Sequence, residues 1–514
     1  MKISAPAVFA FLLVGILPAS AAGQLSSSVA SVVAQVRQYR KAHEPQIVHE
    51  LTDLLSIPNV ANDEQNIGRN ADKLVAMLSE RGFETRLLPI PGRGPVVLGN
   101  LRTPGATRTI TFYSHYDGQP VGGDWKVTKP FVPVLLTSSA DAGGQPIPFP
   151  GASTPYQDNW RIYARSSSDD KSPIVALLTA LDALRASKIP LTSNLQVLFE
   201  GEEEGGSPHL ERVLMANQSL LAKDLLIFAD GPVDQSGLPL ICFGNRGIVD
   251  VSITVYGPLH QLHSGHYGNW APNPAQRLVA LLASMKDDRG HVLIDGFYDD
   301  VSPLSDIEKR ALASAPPNDA DLLRKFGLAQ PETVGLRQVE AIEQPSLNID
   351  GLQSGWVGAQ SKTIIPENAT ASIDMRLVKN ISIDSQFQRL LAHVRKQGFH
   401  VTTMEPTAGE REKYSKIARV TMGPSYPASR TSMDLPVSRA LVGVVEQGEG
   451  RVVELPTMGG SGPTYIFERL GIPFIVLPMV NFDNNQHSAD ENLRVGNLWY
   501  GVEVYAAVLA GLRW

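Results

Sequence analysis

The chain has 514 residues, 43% hydrophobic and 19% charged, with a formal net charge of −7. That length and composition describe a globular protein of two or three domains. The acidic balance excludes the basic field that nucleic-acid binding needs, and "QVRQYRKAH" reads as a solvated helix face.

Residues 1–21 read as a secretory signal. Lys2 supplies the charged start, residues 8–17 a short apolar run, and Ala19-Ser20-Ala21 a small-residue cleavage site. The run is short for a bilayer, so the expectation is an exported protein, periplasmic or secreted, with no membrane span after cleavage. Cys242 is the single cysteine and sits in the apolar "PLICFGNRG". It reads as a buried, inert thiol, and stability must then come from a large core rather than disulfides.

From residue 28 helical and strand patterns alternate. "NADKLVAMLSERGF" places Ala71, Leu74, Val75 and Leu78 on one helix face and closes on Gly82. "TRTITFYSHYD", "NLQVLFE", "DLLIFAD" and "IPFIVLPMV" read as strands, and "SPIVALLTALDALRAS" as a helix with Pro173 in its first turn. The pattern predicts an α/β domain with a largely parallel sheet. From 248 to 425 the texture changes. "GIVDVSITVYG", "TASIDMRLV" and "FHVTTMEP" alternate as half-buried antiparallel strands do, among amphipathic helices "NPAQRLVALLASM" and "DSQFQRLLAHVRKQ". We therefore expect a catalytic domain in two parts, 28–247 and 426–514, interrupted by a smaller α+β domain at 248–425. The Pro/Gly/Ser-rich stretch at about 135–158 reads as a long loop with little periodicity.

Potential metal ligands fall at the strand ends of the outer domain: His115 and Asp117, then Glu202, Glu203 and Glu204, then Asp230, then His487 after a short loop. Asp169 and Asp170 precede a helix. Strand carboxyl ends in an open α/β sheet line one crevice. Oxygen and imidazole donors without thiolates suit zinc, manganese or cobalt in an open catalytic site. Dications would also neutralise "EGEEE", where four acids crowd into five positions.

"HYDGQPV", "RSSSDDKSP", "FEGEEEGGS", "LLIFADG", "LHSGHYG", "IDMRLV" and "HSADEN" occur in the order seen in the co-catalytic dizinc exopeptidases, the group of carnosinases, glutamate carboxypeptidase, aminoacylases and succinyl-diaminopimelate desuccinylase. The chain most resembles the carnosinase-like non-specific dipeptidase branch, from about residue 45 to the end. The resemblance implies two Zn2+ per subunit, with Co2+ or Mn2+ as substitutes. His115 and Asp230 would bind one metal, Glu204 and His487 the other, and Asp169 would bridge them through a cis Asp169–Asp170 peptide. Asp117 would orient the His115 imidazole, and Glu203 would be the general base. The inserted domain would serve as a lid and dimerisation domain, with His263 reaching the partner subunit's site to stabilise the oxyanion. Arg376 would bind the substrate carboxylate, with Asn348, Gly460 and Ser461 as further substrate contacts.

Two departures accompany the resemblance. "RSSSDDKSP" lacks several glycines of the family's motif. Thr457-Met458 stands where carnosinase-like enzymes carry an Arg-Glu pair ahead of Gly-Gly-Ser. The implied function is an exported dizinc hydrolase of dipeptides or short peptides, acting as a homodimer. The alternatives are an N-acyl-amino-acid amidohydrolase of the same chemistry and a metal-binding relative without catalysis.

Overall fold

The computed structural model describes Met1, residues 28–333 and residues 335–514. Apart from Met1, the signal segment lies outside the described residues. The main sheet has eight strands, in the spatial order Glu84–Leu88, Val96–Leu101, Asn194–Glu200, Thr109–His115, Leu225–Phe228, Phe474–Val476, Leu240–Cys242 and Val453–Leu455. The four central strands, from Asn194–Glu200 to Phe474–Val476, run parallel, and antiparallel pairs flank them. Central strands covered on both faces read as near-continuous apolar runs, as "LLIF" at Leu225–Phe228 does.

One face of this sheet buries Ile110, Phe112, Val197 and Ile227 under the helices Val29–Leu55, Lys171–Ala186, Pro436–Glu449 and Val495–Gly511. The other face buries Tyr113, Leu198, Leu226 and Phe228 against Leu210–Ala216 and Thr464–Arg469. Cys242 is buried here, as expected, and burial pushes its thiol far up. The helix Glu64–Glu80 ends on Arg81, and Gly82 follows with φ 76°, one position beyond the cap.

A second, five-stranded sheet is built from Gly247–Tyr256, Ser346–Gln353, Asn368–Leu377, His400–Thr402 and Ile417–Tyr426. Its alternation is period two: Val249, Val251, Ile253, Ala371, Ile373 and Met375 turn inward against the helices Pro274–Ala283 and Ile383–Lys396. The molecule is thus α/β with an inserted α+β unit. One strand differs from the sequence reading. His400–Thr402 pairs with Ile417–Tyr426 in parallel, because the chain between them returns through the helix Ala408–Lys413. Side-chain alternation is the same in either direction, so the pattern held no information on orientation.

The 135–158 stretch is not a structureless loop. Val134–Leu136 and Pro146–Ile147 pair within a small antiparallel sheet that continues through Arg161–Tyr163 to Asn492–Arg494. Two residue pairs are too few to leave a visible alternation. This sheet fixes the chain leading to Asp169 against the chain leaving His487. Among the described residues no helix is long and apolar enough to cross a membrane.

Candidate metal centre

His115 ends the central strand Thr109–His115 and is fully buried. Its Nε2 lies 2.8 Å from Asp169 Oδ1. The other Asp169 oxygen, Oδ2, lies 3.2 Å from Nε2 of His487 and accepts from Gln486 Nε2 at 3.1 Å. One carboxylate therefore stands between two imidazoles with a separate oxygen toward each. Donor atoms of His115, Asp169 and Glu204 converge within 4.8 Å of one another, and so do those of His115, Asp170 and Asp230. His487 Nε2 is 3.4 Å from Glu204 Oε2. All five proposed ligands thus meet at one point of the sheet edge.

The backbone around them is specialised. The Asp169–Asp170 peptide is cis, and Ser166, Asn485, His487 and Asp490 hold left-handed φ between 56° and 63°. Non-glycine residues in that region cost of order 1–3 kcal/mol each and persist only where their surroundings fix them. Here Glu491 does much of the fixing. Its buried carboxylate accepts N–H bonds from Ser166 and Ser168 at 2.9 Å and Asp169 at 3.0 Å, and pairs with buried Arg165 at 2.9 Å.

Asp117 has two contacts of different kinds. Its main-chain carbonyl is 3.1 Å from His115 Nδ1, with the carboxylate Oδ1 at 3.4 Å. The carboxylate oxygens accept the N–H groups of Glu203 and Glu204, each at 3.0 Å. Asp117 thereby holds the turn that aims the two glutamates, as well as touching the imidazole. Gly206 closes that turn with φ 84°, and a Cβ there would lie 2.5 Å from the Tyr426 hydroxyl, which donates to the Gly206 carbonyl. Gln119 holds Glu204 by its N–H at 3.1 Å and Nε2 at 2.6 Å.

Glu202, counted among the candidate ligands, is not one of them. It is buried and accepts from the main-chain N–H of His209 at 3.0 Å, with His209 Nδ1 at 2.9 Å. It stands just past the strand Asn194–Glu200, at the start of the turn Glu203–Gly205, and its carboxylate is taken up by His209.

Electrostatics asks for cations. Burial pushes the Glu203 carboxyl well above its usual range, reinforced by Asp230 and Glu204. Burial with Asp169 nearby pushes Glu204 up to about 8 and Asp230 to about 6. Burial opposes charge on His115, yet Asp117 and Asp169 hold its imidazole well above the ordinary value; contact with Asp169 raises His487 to about 9. His115 and His487 hold the Asp169 carboxyl below its usual range against the cost of burial, and dications would offset the repulsion among the other buried acids. Asp170 Oδ1 is also buried without a partner. The oxygen and imidazole donor set fits two zinc ions, which His115, Asp230, Glu204, His487 and Asp169 would hold.

The proposed substrate contacts divide. Arg376 Nη1 donates to Ser461 Oγ at 2.9 Å, and Nε bonds Asp374 Oδ1 at 3.2 Å. Asn348 donates to Asp374 Oδ2 at 3.2 Å, so Asn348, Asp374, Arg376 and Ser461 form one chain of contacts. Gly460 and Ser461 line a cavity of about 380 Å³ whose wall includes Asp169, Glu203, Asp230 and His487. His263 lies outside that cavity. It is exposed on the short strand Leu262–His263 and accepts the Gly265 N–H at 3.0 Å. Sequence reasoning missed Glu491, Gln486 and Gln119 as site residues, although the first lies in "HSADEN" and the last in "HYDGQPV". Their partners lie from 85 to more than 300 positions away, so only the fold reveals the pairing.

A parallel sheet whose strand ends gather imidazoles and carboxylates around one carboxylate bridge defines a metal-dependent hydrolase. The chain belongs to peptidase family M20/M25/M40, whose model matches residues 111–511. It is 28% identical over 496 residues to the Cys-Gly metallodipeptidase DUG1 of Candida albicans, covering 91% of this chain and 94% of that protein. It is 25% identical over 484 residues to the Beta-Ala-His dipeptidase of Mus musculus, covering 90% and 88%. Among solved structures, the M20 family metallo-carboxypeptidase Sso-CP2 from Sulfolobus solfataricus superposes with a TM-score of 0.73 at 26% identity, over 91% of this chain and 99% of that one. The protein is thus a metal-dependent peptidase of the carnosinase-like branch.

Proposed function

We propose that the protein hydrolyses the peptide bond of dipeptides or short peptides, with Glu203 as general base. The observation that carries this reading is Glu203 itself, which lines the cavity beside Asp169, Asp230 and His487 while Asp117 fixes its backbone. Zinc held there would supply Lewis acidity for the scissile carbonyl and the attacking water. Glu203 takes a proton from the attacking water as the C–O bond forms, then delivers it to the leaving nitrogen as the C–N bond breaks. The products are a carboxylate and an amine. Arg376, braced by Asp374 and Ser461, binds the substrate carboxylate, with Asn348, Gly460 and Ser461 beside it. His263 belongs to the oxyanion site of a partner subunit in a homodimer, a role its exposure permits. The relatives named as dipeptidases support the substrate class. Export rests on the residue 1–21 pattern, and N-terminal sequencing of the mature protein tests it.

The test is hydrolysis of dipeptides and N-acyl amino acids by the zinc-loaded full chain. Dipeptide cleavage that falls at least about 10³-fold in Glu203→Gln is expected, a loss in line with removing general-base catalysis. Cleavage of N-acyl amino acids alone would move the reading to the amidohydrolase alternative. Binding of two metals without cleavage of either set would favour the non-catalytic relative.

A further inference from the structure

The cavity beside the metal-site carboxylates is mostly apolar away from them. Val233, Leu240, Val339, Leu455, Met458 and Phe482 form its far walls. It adjoins a second cavity of about 920 Å³, and the two share Asp319, Leu322, Gln338 and Ile342 in their walls. The second continues over Leu323, Phe326, Leu328 and Leu336. Phe326 and Leu328 are 59% and 53% exposed, a large uncovered apolar surface to place next to a reaction centre.

Several polar groups in these walls already have partners. Asp319 accepts from Gln338 N–H at 2.6 Å, Lys286 pairs with Glu332 at 2.7 Å, and Arg246 Nη2 donates to Gln344 O and Ser346 Oγ. Thr457 turns its hydroxyl away, donating to Glu343 at 2.9 Å and accepting from Arg430 at 2.7 Å. Its neighbour Met458 is left as the lining residue, where the resembled enzymes carry the acid of an Arg-Glu pair. Leu322 and Ile342 stand in both walls and join the apolar lining of the cavity beside the metal site to that of the second.

We infer that the substrate carries an extended apolar group, which runs from the scissile bond past Met458 and Ile342 into the second cavity over Leu322, Leu323 and Phe326. This rests on the hydrolase reading above. The same chemistry could come from a linear acyl chain or from bulky apolar amino-acid side chains, and the experiment separates the two.

The zinc-loaded full chain is assayed for kcat/KM on two series. One holds N-acyl-alanines from acetyl to dodecanoyl; the other holds X-Ala dipeptides and X-X-Ala tripeptides with X as Gly, Ala, Leu and Phe. In one series or the other, kcat/KM should climb about fourfold for each methylene that enters the cavity, the factor set by burying one methylene. The series that climbs identifies the source. Leu322→Glu places a charge where the cavities meet, on the helix Asp319–Phe326, none of whose residues is buried. It should cut the long-to-short ratio of kcat/KM by at least about tenfold, the scale of one mismatched apolar contact. Turnover of the short members with a flat or falling profile in both series overturns the inference and leaves the hydrolase reading standing. An unchanged ratio in Leu322→Glu overturns it as well. No turnover of any member overturns the hydrolase reading, and the inference with it.

Discussion

Asp169 shows how much support one carboxylate takes. Its oxygens face His115 and His487, while its own N–H and those of Ser166 and Ser168 are gathered by Glu491. Glu491 in turn shares buried Arg165, so removing its charge strands a guanidinium in the interior. Glu491→Gln should lower unfolding free energy by about 3–5 kcal/mol, the cost of breaking a buried pair. Metal affinity should fall together with stability, because the loop presenting Asp169 loses its anchor. Urea unfolding and zinc titration of the variant check both. Wild-type values in both would mean that the strained backbone is held by something else. The donors themselves were legible in the sequence, since histidine and acid after each predicted strand mark a sheet edge. Their positioning residues were not, because Glu491 and Arg165 are 326 positions apart.

At the scale of elements, the inserted unit has its own core and its own titrating contact. His393, on the helix Ile383–Lys396, is buried and shares a hydrogen bond of 2.9 Å with Ser284 Oγ at the end of Pro274–Ala283. Burial depresses its pKa below the ordinary 6.5, with Lys396 adding to the effect and Asp295 opposing it. The unfolded chain therefore binds a proton more readily than the folded one in the window below 6.5. Stability is full above that value and is lost as pH falls through it. The melting temperature should drop between pH 7.5 and 5.5, and His393→Gln should reduce the drop. An equal drop in both proteins would clear His393 of the effect. Elements of this kind were mostly readable: helices and central strands followed from period and burial. The parallel pairing of His400–Thr402 and the small sheet around residues 134–163 were not, because orientation and two-residue ladders leave no trace in hydrophobic alternation.

For the whole molecule, the two domains touch beside the metal centre. Arg376 comes from the inserted sheet and Ser461 from the outer domain, and they meet at 2.9 Å. His263 stands apart from both on an exposed strand, so in the homodimer proposed above each site borrows it from the other subunit. A mixture of His263→Ala and Glu203→Gln chains should then recover activity that neither has alone, since mixed dimers contain one intact site. Co-expression followed by dipeptide assay checks this, and activity no greater than the sum of the separate variants would place His263 outside the reaction. The class of protein was readable from motif order along the chain, whereas the cavity beside the metal site gathers residues from 169 to 487 that no local pattern joins.

In the two-metal centre proposed above, Asp169 would join both ions at the sheet edge, one oxygen toward His115 and the other toward His487. Zinc content per chain, measured on the zinc-loaded, dialysed full-length protein and on Asp169→Ala, tests it most directly. Two zinc ions per wild-type chain and at most one in the variant are the expected result. Fewer than one in the wild type, or two retained without Asp169, would contradict it.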